Sequence, residues 1–127
     1  MRDVIRLATV NIDCPDPTSL SEFYRKLLDW ELVWGNDTGE FIIIGDPDGG
    51  VQLSFQLEPS YTRPVWPDEK GKPGKSMHLD FQVTDLTKAQ ALALSLGAVR
   101  ASEQFLEAEG CIVFFDPAGH PFCLFVD

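Results

Sequence analysis

The feature that most constrains this chain is that it is written twice. The stretch SMHLDFQVTD, Ser76 to Asp85, has a weaker copy in LATVNIDCPD, Leu7 to Asp16. Asp16 and Asp85 stand 69 residues apart, while the pairs Asp46/Asp116 and Gly49/Gly119 stand 70 apart. Phe23 and Leu27 map at the offset of 69 onto Leu92 and Leu96. One order of elements repeated at nearly constant spacing is hard to reach by chance and argues for an internal duplication. The chain of 127 residues is then one domain of two modules, about 4–57 and 76–127, joined by a linker at about 58–75.

Each half reads as strand, helix, strand, strand, turn, strand. Val4 to Asp13 is expected as the first strand. Asp16 is expected to cap a helix with Pro17 in its first turn, although Ser19 and Glu22 offer a capping box one turn later. Leu20, Phe23, Tyr24, Leu27 and Leu28 form one apolar stripe of that helix, which ends near Leu28. Trp30–Trp34, Glu40–Ile44 and Val51–Gln56 are expected strands, and the continuous apolar run of the second suggests burial on both faces. The linker carries Pro59, Pro64, Pro67 and Pro73 with Gly71 and Gly74. It also holds Tyr61 and Trp66, which either cover a cleft or pin the linker to the core. Met77–Val83 is expected as a strand. A second helix follows, capped by Asp85 or Thr87, ending near Gly97, with a stripe of Leu86, Ala89, Leu92, Ala93 and Leu96. Val99–Gln104, Cys111–Phe115 and Pro121–Val126 complete the strands.

A βαβββ unit buries one sheet face under its helix, so two units leave a second face to line a cleft. Strand parity sorts the side chains between the two. The helix side collects Ala8, Val10, Ile12, Val51, Leu53, Phe55, Leu79, Phe81, Val83, Phe122, Leu124 and Val126, all apolar. The cleft side collects Thr9, Asn11, Asp13, Gln52, Ser54, Gln56, His78, Asp80, Gln82, Cys123 and Phe125, nearly all polar. That set fits either a solvent-exposed sheet or a binding cavity, and Cys123 and Phe125 favour the cavity. The expected fold class is α+β, a curved, eight-stranded mixed sheet around a cleft with helices outside.

Composition narrows the functional classes. Net charge is −10, which repels nucleic acid and anionic membranes at long range and mildly favours a neutral or cationic ligand. No apolar run approaches the roughly 20 residues that span a bilayer, and the N-terminus lacks a continuous apolar signal-peptide core. The three cysteines, Cys14, Cys111 and Cys123, are never spaced C-x-x-C, so a disulfide framework or zinc knuckle is not expected. These features point to a cytoplasmic protein with reduced thiols.

On these residues the chain resembles the vicinal oxygen chelate superfamily, which includes glyoxalase I, extradiol dioxygenases, methylmalonyl-CoA epimerase, and fosfomycin- and bleomycin-resistance proteins. The motifs are DCPDPTSLSEFYRKLLDW, HLDFQVTDL and the turn–strand pairs DPDGGVQLSF and DPAGHPFCLF, together covering nearly the whole chain. The linker PVWPDEKGKPGKSMHLDF is similar to that of small actinobacterial glyoxalase-like proteins. The resemblance implies two βαβββ modules around a U-shaped cleft, often in a homodimer.

It also implies a divalent metal held by four side chains, from the first and last strands of each module, usually His and Glu. Only His78 matches. Thr9 stands at the corresponding place in the first module, Gln52 or Ser54 on its last strand, and Cys123 where the family's Glu would be. Asp80 and Asp13 share the cleft face, though the family pattern does not use them. No bound metal is therefore expected, and if one binds, His78 is the residue to hold it. His78 reads either as a hydrogen-bonded wall residue or as a ligand-binding or acid–base group, the best catalytic candidate. Cys123 reads as a small semi-buried filler and His120 as an exposed turn residue. The expected function is a metal-free, small-molecule-binding protein of the glyoxalase/bleomycin-resistance type. Its contacts would be Thr9, Asn11, Gln52, Ser54, His78, Asp80, Gln82, Cys123, Phe125, Trp34 and Trp66. The alternatives are a metal-dependent lyase, isomerase or dioxygenase with an altered ligand set, and a domain that serves through dimerisation.

Overall fold

A computed structural model describes residues 3–75 and 77–127. Ser76, at the expected start of the second module, lies outside the described residues. The chain divides into two compact units with the boundary between Tyr61 and Thr62. In the first unit the order is β1 (Thr9–Cys14), α1 (Pro17–Leu28), β2 (Glu31–Gly35), β3 (Phe41–Gly45) and β4 (Gln52–Leu57). In the second it is β5 (Leu79–Gln82), α2 (Leu86–Ser95), β6 (Val99–Arg100), β7 (Cys111–Phe115) and β8 (Pro121–Phe125). The fold is α+β, and its eight strands are hydrogen-bonded as two four-stranded mixed sheets, ordered β1-β4-β3-β2 and β5-β8-β7-β6. In both sheets the first strand pairs parallel with the last, and the last three are antiparallel.

The duplication is visible in backbone register. Asn11 faces Ser54 across β1 and β4, and Asp80 faces Cys123 across β5 and β8. Both helices start on an aspartate whose carboxylate accepts an amide from the first turn, Asp16 from Ser19 and Asp85 from Lys88. This cap satisfies a donor that has no partner inside the helix. Pro17 follows Asp16, where a missing N–H does no harm. Gly97 follows the end of α2 at φ +105°, a conformation suited to glycine.

Each unit has its own apolar layer. Tyr24 of α1 stacks on Phe55 at 5.8 Å, over Ile12, Ile42, Ile44 and Leu53. In the second unit Phe122 meets Phe81 edge-on and Phe114 face-to-face, both at 5.8 Å. The two helices differ. Leu20, Phe23 and Tyr24 of α1 are buried, whereas α2 buries only Ala93. Leu92, expected in its stripe, is 43% exposed. The contact line of α2 runs through Leu86, Ala89 and Gln90, Ala93 and Leu96, with Leu92 on the flank.

Other expectations need correction. The first strand starts at Thr9, not Val4, and residues 3–8 are exposed and outside the strand, although the Ala8 carbonyl accepts the Gln52 amide at 2.9 Å. Val10 and Val51, placed on the buried side by parity, are exposed; β1 is an edge strand and α1 packs mainly on β3 and β4. Burial of β3 is one-sided, with Ile42 and Ile44 buried and Phe41 and Ile43 half-buried. The strand expected at Val99–Gln104 stops at Arg100. Beyond it the Gln104 side chain bonds the carbonyls of Ala101 and Val113 and the amide of Val113, all at 2.9 Å. One side chain thus replaces the missing ladder. His120 is not an exposed turn residue: it is 5% exposed, its Nδ1 2.9 Å from the buried Asp116 carboxylate. That side chain also accepts the amides of Ala118 and His120, so the turn is closed around a buried, hydrogen-bonded carboxyl group.

Candidate functional site

Parity and register place one set of side chains on the sheet face away from α2. On β5 these are Asp80 and Gln82, opposite Cys123 and Phe125 of β8. Across β7 they are Cys111, Val113 and Phe115, because Val113 faces Cys123 and Cys111 faces Phe125. His78 stands immediately before β5. Ala101, Val113 and Cys123 form a small buried cluster, with Trp66, Cys111 and Phe115 packed against it. Trp66 reaches this face from the linker and meets Phe105 and Phe115 edge-on at 5.6 and 5.9 Å. The linker tryptophan is therefore both pinned and part of a wall.

These residues enclose a pocket of about 360 Å³, lined by Trp66, Lys75, His78, Phe105, Leu106, Cys111, Val113 and Cys123. Its lining holds one formal cation, Lys75, and no carboxylate. Most of the wall is aromatic, aliphatic or sulfur, with His78 as the principal hydrogen-bonding group. Such a composition suits a small organic molecule with few polar atoms.

At the inner wall three metal-type side chains converge. Among the described residues, His78, Asp80 and Cys123 bring one donor atom each within 4.8 Å of one another. His78 Nε2 lies 3.0 Å from Cys123 Sγ and 3.3 Å from Asp80 Oδ1. A proton on Nε2 serves only one of these neighbours at a time. Burial pushes the Cys123 thiol up to about 12, with the hydrogen bond and charge of Cys111 and the nearby Asp80 adding to the effect. Without a bound cation Cys123 is a neutral thiol at physiological pH and a poor nucleophile.

The corresponding face of the first unit is different. Ser54 donates to Asn11 Oδ1 at 2.7 Å, and Asn11 Nδ2 donates to Gln56 Oε1 at 3.1 Å. Thr9 faces Gln52 in register, and Trp34 shares the face through its pairing with Ile43. Trp34 is 51% exposed and tilted against Phe41. A hollow of about 420 Å³ in this unit lies elsewhere, between α1 and β2–β3, where Glu22 and Arg25 are already paired.

The expected site residues thus fall into two groups. His78, Cys123 and Trp66 line one pocket, Asp80 stands against His78, and Gln82 and Phe125 lie further along the same strands. Thr9, Asn11, Gln52, Ser54 and Trp34 belong to the first sheet. Sequence reasoning missed Lys75, Phe105, Leu106, Cys111 and Val113. Cys111 was readable by parity, since residues two apart on an antiparallel strand share a face. Phe105 and Leu106 lie just past the expected strand Val99–Gln104, in a stretch with no periodicity to assign them a face.

A family model described as a glyoxalase-like domain matches residues 9–125. Among curated proteins none matches this sequence. Solved structures share the fold at low identity. A glyoxalase/bleomycin resistance protein/dioxygenase family enzyme from Burkholderia phytofirmans superposes with a TM-score of 0.72 at 18% identity, covering 96% of this chain and 98% of that one. A possible glyoxalase from Bacillus cereus gives 0.69 at 15%, covering 95% and 98%. The fosfomycin resistance protein FosX from Listeria monocytogenes, complexed with Mn(II) and 1S,2S-dihydroxypropylphosphonic acid, gives 0.68 at 14%, covering 95% and 88%.

Proposed function

The chain belongs to the glyoxalase-like domain family, and from that premise we propose that it binds a small organic molecule in the pocket of its second module. The observation that carries this reading is the pocket of about 360 Å³, walled by Trp66, Phe105, Leu106 and Val113 with His78 at its polar end. The ligand is a flat or aromatic molecule bearing a hydrogen-bonding group for His78, neutral or anionic because Lys75 is the only charge in the lining. This local chemistry outweighs the acidic balance of the whole chain, which pointed weakly to a cation. Asp80, Gln82 and Phe125 extend the same face. Thr9, Asn11, Gln52, Ser54 and Trp34 are secondary contacts in this proposal, since Asn11 and Ser54 already satisfy each other. The protein acts in the cytoplasm, in keeping with its free thiols. It acts as a homodimer, in keeping with the exposed apolar edge strand Leu32–Trp34.

Module one offers Thr9 with Gln52 or Ser54, neutral groups that do not replace a His and a Glu. The four-ligand arrangement of the family does not fit these residues. The second reading, a metal-dependent lyase, isomerase or dioxygenase with an altered ligand set, is favoured by the convergence of His78, Asp80 and Cys123.

A fluorescence titration tests the first reading. In a Trp30→Phe/Trp34→Phe variant only Trp66 reports, and anilinonaphthalene sulfonate serves as an aromatic anionic probe. Saturable quenching is expected. Leu106→Asp, at an exposed pocket-lining position, should weaken it by about tenfold, equal to about 1.4 kcal/mol. Absent or non-saturable quenching contradicts a pocket at this place.

A further inference from the structure

We propose that the segment before β1, residues 3–8, docks into the hollow between α1 and β2–β3 of a second copy of this chain, and that the second copy returns the contact. The proposal rests on the homodimer reading above and gives it a mode. Two features of the first unit call for it. Val4, Ile5 and Leu7 are 69%, 71% and 66% exposed, large apolar side chains crowded onto one short arm. Apolar clusters left in water mark contact surfaces. The hollow, of about 420 Å³, has the converse composition: an apolar floor of Ile42 and Ile44, with Leu32 beside them. It exists because α1 packs mainly on β3 and β4 and leaves β2 uncovered. Leu32 faces Ile44 in register, and it is 63% exposed for want of anything above it. The arm lacks a seat and the hollow lacks a cover.

Sheet order shows why the cover comes from another copy. In β1-β4-β3-β2 the arm continues β1 at one edge, and the hollow lies at the other. The Ala8 carbonyl holds the base of the arm to the Gln52 amide at 2.9 Å, beside β4. Residues 3–7 span at most about 17 Å when extended. The path to β2 crosses three strand spacings, about 14 Å, and α1 stands in the way. Charge fits the same occupant. The hollow is rimmed by two carboxylates, Glu22 and Glu31, and one guanidinium, Arg25. Glu22 is paired with Arg25, whereas the Glu31 side chain has no ion pair among the described residues. Arg6 of the arm likewise has none among them. In an extended arm Ile5 and Leu7 point one way and Arg6 the other. The apolar pair then lies on Leu32, Ile42 and Ile44, and Arg6 stays at the mouth within reach of Glu31. About a two-fold axis each copy gives one arm and receives one.

Sedimentation velocity of the full chain over a concentration series tests the docking. The wild-type chain should sediment as a dimer. Ile5→Asp/Leu7→Asp, two exposed changes that spare the core, should raise the dimer dissociation constant by at least roughly tenfold, and so should Leu32→Asp on the receiving side. Arg6→Glu and Glu31→Arg should each weaken the dimer by a smaller factor, about threefold. The chain carrying both charge changes should recover wild-type association, because the pair is reversed rather than removed. A dimer that persists in Ile5→Asp/Leu7→Asp overturns the docking and leaves the homodimer standing. If that dimer is then lost in Leu32→Asp, two β2 edges meet instead of arm and hollow. A double charge variant no better than either single one also overturns the docking. A wild-type chain that is monomeric throughout overturns the homodimer reading itself, and the docking with it.

Discussion

The same two strand positions face each other in both sheets, Asn11 with Ser54 and Asp80 with Cys123. One pair is neutral, hydrogen-bonded and extended by Gln56 into a closed chain of amide and hydroxyl groups. The other is titratable, stands against His78, and borders an aromatic-walled pocket. The backbone is shared and the side chains are not. What a duplicated fold preserves is its pairing register and its apolar layer, while the opposite face is free to diverge. Chemistry here depends on which side chains occupy positions that the fold leaves open.

The comparison can be broken most forcefully at the cores. Phe55→Ala and Phe114→Ala each remove a fully buried ring, one from each apolar layer. Each should lower stability by about 3–5 kcal/mol in urea unfolding. A loss near zero for either would mean that its module has no core of its own.

The two aspartate turns sharpen the contrast. Asp46 is exposed, and its carboxylate accepts the amide of Asp48. Asp116 is buried and accepts two amides and the His120 ring. Asp116→Ala should cost about 3 kcal/mol and leave buried donors unpaired, whereas Asp46→Ala should cost under about 1 kcal/mol. Equal melting temperatures for the two variants would erase the distinction.

A smaller effect separates Cys123 from Ser54, which does not ionise. An unfolded-chain thiol ionises near 9.0, but burial holds the folded Cys123 thiol up to about 12. Between these values the unfolded state binds fewer protons, so stability contributed by this thiol is present below pH 9.0 and is lost as pH rises toward 12. Cys123→Ser should flatten that part of the stability–pH curve, measured by denaturant unfolding. An unchanged slope would show that the thiol is not held neutral by its surroundings.

Much of this was legible in the sequence, for reasons that lie in local physics. The repeat offset, the Asp16 and Asp85 caps and the strand alternation all act within a few residues, and each signalled its element. Parity alone also puts Asp80, His78 and Cys123 on one face. The unread parts depend on tertiary context. Gln104 reads as strand but works through its side chain, a choice visible only once β7 is beside it. His120 looks like a polar turn residue until Asp116 is seen buried beneath it. Leu92 fits a helical stripe, yet the contact line of α2 passes one residue away. Phe105 and Leu106 became pocket walls because Trp66 folds back from the linker, which no periodicity encodes.

The central claim is that, of two modules with one backbone plan, the second carries the binding surface. Amide NMR spectra of nitrogen-labelled protein, titrated with anilinonaphthalene sulfonate, test it most directly. The account predicts saturable shifts concentrated at His78, Cys111, Val113 and Cys123, with Asn11, Ser54 and Gln56 nearly still. Shifts as large in the Asn11–Ser54–Gln56 chain as around His78 would contradict it.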